Sequence, residues 1–112
     1  MMDKFIVSEL QNTINSAIKL CEKINKELMF SKISIDGKIF PEDDTTKEMP
    51  GELRIIYQQV FTILMFNDPN LHQQFILETK DLDYNTLDAY KKLHSAFKSL
   101  QKQINEKYTH IS

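Results

Sequence analysis

"VSELQNTINSAIKLCEKINKEL", residues 7–28, decides the fold of this chain. Its apolar positions, Val7, Leu10, Ile14, Ala17, Cys21, Ile24 and Leu28, recur in alternating steps of three and four. Such a series falls on a single stripe only in a helix. Sustained over three heptads, it is the seam of a helix lying nearly parallel or antiparallel to its neighbours. Gln11, Asn12, Asn15, Lys19, Glu22, Lys23 and Lys26 fill the other positions and make a solvated face. The spacing predicts a helix over about residues 3–30, with Cys21 as a small core residue on its inner side.

Three more helices follow from local signals. Pro50 suits a first helical position, and Glu52 puts a negative charge at the positive end of the next helix. From Ile55 to Phe66 the apolar residues are not confined to one stripe, which predicts a central helix packed on several sides. Asp68 is an N-cap type followed by Pro69, so a third helix starts at once and runs to about residue 80. Leu71, Phe75 and either Ile76 or Leu77 should point inward. Asp81 or Asp83 is expected to cap the last helix, residues 84–108, whose stripe is Leu87, Tyr90, Leu93, Phe97, Leu100, Ile104 and Tyr108. Short links between the last three helices favour antiparallel neighbours.

The long connection after the first helix holds "KISIDGKIFPED", residues 32–43. A calcium loop of the EF-hand type, aligned on Gly37, would place Lys32 where the first carboxylate ligand belongs and Pro41 where the exiting helix begins. A two-residue Asp-Gly turn between "ISI" and "KIF" satisfies every residue instead. It sets Ile33 opposite Phe40 and Ile35 opposite Lys38. The expected fold is therefore all-α: a single domain over 1–112, a mostly antiparallel four-helix bundle with a small β-hairpin between helices 1 and 2.

Composition agrees with this. Of 112 residues, 41% are hydrophobic and 27% charged, with two glycines and three prolines, so breakers are too few for many short strands. One cysteine cannot form an intrachain disulfide, and the first residues carry no signal-peptide pattern. The longest apolar run, Val60–Phe66, is far short of the ~20 residues that span a bilayer. A soluble cytoplasmic protein is expected. The net charge of −2 is uneven, with an acidic middle and a mildly basic C-terminal segment.

Chemistry finds little support. Two glycines, at 37 and 51, leave no Gly-rich phosphate cradle, and neither G-x-S-x-G nor H-E-x-x-H occurs. No two histidines stand three or four apart, so no zinc set forms along a helix. No cofactor, metal or catalytic residue is expected. His94 in "KKLHSAFKSL" invites comparison with histidine phosphotransfer domains. Those have Lys three residues after the histidine and then Gly, where this chain has Phe97 and Lys98. His94 reads better as a boundary residue beside Leu93 and Phe97. Lys91, Lys92, Lys98, Lys102 and Lys107 interleave with Tyr90, Phe97 and Tyr108, but the aromatics fall on the core stripe. Nucleic acid is therefore not the expected ligand.

The function expected is a non-catalytic protein-binding module of inhibitor, immunity, chaperone or adaptor type. Its partner, a protein with a basic surface, would meet the acidic hairpin and loop through Asp36, Ile39, Phe40, Glu42, Asp43, Asp44 and Glu48. The size and helix count are those of small bacterial immunity proteins, a comparison of architecture that no motif extends; a bacterial or phage origin is the accompanying expectation. The alternative is a homodimeric structural protein whose first and last helices continue their stripes into a second copy.

Overall fold

A computed structural model describes residues 3–30, 51–84 and 86–109. They form four α-helices in chain order: α1 Lys4–Phe30, α2 Gly51–Asn67, α3 Pro69–Thr79 and α4 Leu87–Ile104. The end of α4 widens into a π-helical turn, Asn105–Thr109. The chain is all-α, with no strand among the described residues. The hairpin expected at Ile33–Phe40 falls outside them, as do the calcium-loop register and Pro50, so the hairpin is not part of the fold described.

Cross-chain contacts fix the directions. Gln11 Nε2 donates to Asn105 Oδ1 at 2.8 Å, while Glu22 lies against His94, so α1 and α4 run antiparallel. Tyr57 meets Thr79, and Phe61 meets His72, which makes α2 and α3 antiparallel. Asp68 meets Lys107, and Phe75 meets Phe97, which does the same for α3 and α4. The helices thus alternate in direction. Each packs on its chain neighbour, and the long α1 and α4 close the ring with the most extensive interface.

The α1 seam is buried through Cys21: Leu10, Ile14, Ala17 and Cys21 are fully enclosed and Val7 nearly so, Ile24 is half-buried, and the Leu28 side chain lies outside the described residues. Gln11 departs from the expectation of a solvated side chain. It borders the α4 interface and reaches across it to Asn105. On α4, Tyr90, Leu93, Phe97, Leu100 and Ile104 are buried. Facing α1 and α3, they complete one continuous core with Leu53, Val60, Leu64, Leu71 and Phe75.

The last helix starts later than its composition suggests. Thr86, not Asp81 or Asp83, is the N-cap, accepting from the Ala89 amide and donating its hydroxyl to the Asp83 carbonyl at 2.8 Å. Asp81 instead takes a left-handed conformation, φ 63°, which an aspartate tolerates better than most residues. The turn after α3 thus uses both aspartates before the helix can begin.

Cys21 lies inside this core, and burial, reinforced by the neighbouring Glu22 carboxylate, pushes its thiol up to about 12. A thiol that is both enclosed and protonated does not react. Labelling by a disulfide reagent is therefore expected to be on the order of a thousandfold slower in buffer than in denaturant, its rate following opening of the structure. Equal labelling rates in the two conditions would remove Cys21 from the interior.

Candidate functional site

The second helix departs most from its sequence reading. Leu53, Val60 and Leu64 are fully buried, with Tyr57 half-buried between them, and these positions step by four, three and four. Successive α-helical residues turn by about 100°, so a stripe two residues further on faces the opposite way. That stripe is Ile55, Gln59, Thr62 and Phe66, and all four are exposed. Ile55 is 60% exposed and Phe66 76%, with Met65 beside it at 42%. The helix is therefore not central. It lies between α1 and α3 and leaves its far side to solvent, because a ring of four gives each helix two close neighbours rather than several.

Beyond the first turn, where Glu52 and Arg54 are exposed, that side carries no charge. Between Ile55 and Leu77, which covers most of α2 and α3, the only charged side chain is Asp68. Asp68 is 4% exposed and fully engaged. It caps α3 by accepting from the Leu71 amide, and it accepts from Lys107 Nζ at 2.7 Å and from the Tyr108 hydroxyl. Leu77 is 59% exposed on α3, next to the exposed Glu78. By contrast, α1 exposes Lys19, Glu22, Lys23 and Lys26, and α4 exposes Asp88, Lys91, Lys92, Lys98 and Lys102. The exposed surfaces of α1 and α4 are thus rich in charge where α2, from Ile55 onward, has none.

The Asp68 cluster ties the ends of three helices together. The wide turn at Asn105–Thr109 lets the adjacent Lys107 and Tyr108 reach the same carboxylate, and Lys107 also sits over the Tyr108 ring at 5.5 Å. Burial by itself would raise the Asp68 carboxyl. The hydrogen bonds from Lys107, Tyr108 and Leu71 outweigh it and hold the group below its ordinary range. Lys107 is raised, first by its bond to Asp68. Tyr108 is also raised, first by burial and then by the same carboxylate. With every donor in place and the carboxylate enclosed, this cluster is a structural clasp.

The other polar positions are enclosed by the fold, and the buried Nε2 atoms of His72 and His94 make no hydrogen bond. His94 turns Nε2 inward against α1, 3.9 Å from the Glu22 carboxylate, where an incoming phosphoryl donor has no approach to that nitrogen. His72 packs edge-on to Phe61 with ring centroids 4.4 Å apart. Tyr90 donates to the Tyr84 carbonyl at 2.7 Å inside the core. Of the aromatics among the α4 lysines, Tyr90 and Phe97 are fully buried and cannot stack on a base. Lys92 pairs with Asp88, and Lys107 with Asp68. Among the described residues no three metal-ligating side chains gather, and no helix is long and apolar enough to cross a membrane.

All the residues expected to meet a partner, Asp36, Ile39, Phe40, Glu42, Asp43, Asp44 and Glu48, fall outside the described residues. What the sequence reading passed over is the uncharged run from Ile55 to Leu77. Its signal was present: apolar residues all round a helix leave some of them exposed unless the helix is surrounded. Comparison of the chain with protein-family models, with curated proteins and with solved structures finds no match.

Proposed function

We propose that this chain is a non-catalytic protein-binding module that acts by covering part of another protein chain, with the outer side of α2 as its main contact surface. One observation carries the reading. Ile55, Met65 and Phe66 stand exposed on the outer side of α2, which carries no charge from Ile55 to Asn67. The cores of protein interfaces are depleted of charge and enriched in Met and aromatic side chains, whereas a merely solvated helix face carries Lys and Glu. The acidic segment, Asp36 to Glu48 with Ile39 and Phe40, which precedes α2 in the sequence, adds a second element to the proposal: its carboxylates speed the approach of a basic partner. Inhibitor, immunity, chaperone and adaptor roles all operate this way.

The test is site-specific photocrosslinking in cells. A photoreactive amino acid at Phe66 is expected to give discrete protein adducts, while the same group at Lys98, on the charge-rich surface of α4, gives none. Adducts at neither position, or equally at both, would remove α2 as the contact face. For the acidic segment, reversing Asp43 and Asp44 to Lys is expected to slow association with a captured basic partner about tenfold at low salt, with little change at high salt.

A further inference from the structure

We infer that the outer face of α2 pairs with a second copy of itself, about a two-fold axis passing between Gln59 and Thr62. The inference rests on the reading of α2 as a contact face and names its occupant. The exposed stripe Ile55, Gln59, Thr62, Phe66 is symmetric in two ways. Its spacing is four, three, four, and its chemistry is apolar, polar, polar, apolar. An antiparallel two-fold therefore sets Ile55 of each copy against Phe66 of the other, and Gln59 against Thr62. Such a contact is isologous, so one patch has to suit itself. This one does.

Charge supports the same occupant. A face with charge of one sign opposes its own copy, and one of mixed sign pairs only in a fixed register. From Ile55 to Asn67 there is no charge at all, so the two-fold pair brings no like charges together and buries none unpaired. The polar centre is also self-matching. A glutamine amide and a threonine hydroxyl each both donate and accept, so Gln59 and Thr62 can satisfy one another across the axis. The six exposed residues Ile55, Gln58, Gln59, Thr62, Met65 and Phe66 present on the order of 500 Å² per copy. Pairing then removes about 1,000 Å² from water, the lower limit for a specific interface. The pair is therefore weak and concentration-dependent. The stripes of α1 and α4 take no part in it, since the bundle already buries them.

Sedimentation equilibrium of the full chain between about 5 and 500 μM tests this. The weight-average mass is expected to rise from 13.2 kDa toward twice that value. Phe66→Glu should weaken the association at least ~30-fold, because it sets a carboxylate against Ile55 of the other copy. Ile55→Lys combined with Phe66→Glu should recover about tenfold of the loss, as each copy then opposes Lys with Glu. Helical dichroism confirms that each variant is folded. Should Phe66→Glu not fold, the Gln59→Cys/Thr62→Cys pair reads the same register by giving a covalent dimer on oxidation. A mass constant at one chain throughout, or association indifferent to Phe66→Glu, overturns the inference. A monomeric chain that still crosslinks another protein from position 66 also overturns it, while leaving the contact-face reading in place.

Discussion

Phe97→Ala is expected to cost about 4 kcal/mol of folding stability and to lower the melting temperature by roughly 15 °C. Phe97 is fully buried in the middle of α4 and joins three helices. Its ring meets Phe75 of α3 at 5.3 Å between centroids and Tyr57 of α2 at 6.5 Å, the latter edge-on. Truncation loses the transfer free energy of the ring and leaves a cavity that the straight backbones of α2, α3 and α4 cannot close. A domain of this size is typically stable by only about 5–15 kcal/mol, so the variant is expected to be partly unfolded at 37 °C. Phe97→Leu fills most of the space and should cost about 1–1.5 kcal/mol. Urea titrations of the two variants decide the matter. A loss below about 1 kcal/mol for Phe97→Ala would falsify the placement of this ring at the centre of the core.

Asp68→Ala should come next, at about 3 kcal/mol. Loss of the α3 N-cap accounts for about 1 kcal/mol, and loss of the charge-assisted bonds from Lys107 and Tyr108 for the rest, discounted because Lys107 is half-exposed. Asp68→Asn keeps an acceptor for the Leu71 amide and should recover about 1 kcal/mol. The carboxyl is held below its ordinary range in the folded chain, and it titrates near 3.9 when unfolded. Its contribution is therefore complete above about pH 4 and is lost as pH falls through the lower, folded value.

Lys107 and Tyr108 act at the other limit. Both are raised in the folded state, so their contribution holds below about pH 10 and fades as pH rises through their folded values. The stability difference between wild type and Asp68→Asn should accordingly be flat from about pH 5 to 9 and shrink on both sides. A difference that stays constant down to pH 2 would mean that the clasp is not ionic.

Much of the bundle was legible because helix signals are local. The three-and-four spacing from Val7 to Ile24 and the Asp68-Pro69 start of α3 each depend on residues within a turn or two of one another. The start of α4 was misplaced because Asp81, Asp83 and Thr86 are all competent caps, and the geometry of the turn after α3 chose among them. Leu77 was an open alternative to Ile76 on α3, and it stands exposed because α4 covers only one side of that short helix. The place of α2 was misread for a related reason. Composition shows how apolar a helix is, but not how many neighbours it will have.

The sequence by itself determined the helical class, the inner stripes of α1 and α4, and the role of Asp68 as the start of α3, since hydrophobic period and capping are properties of adjacent turns. Only the tertiary structure decided that Asp68 is also clasped by Lys107 and Tyr108, some 40 residues away along the chain. It also decided which side of α2 is left uncovered. Both depend on long-range packing: closing four helices into a ring gives each a fixed number of neighbours, and an apolar helix with only two keeps a bare face.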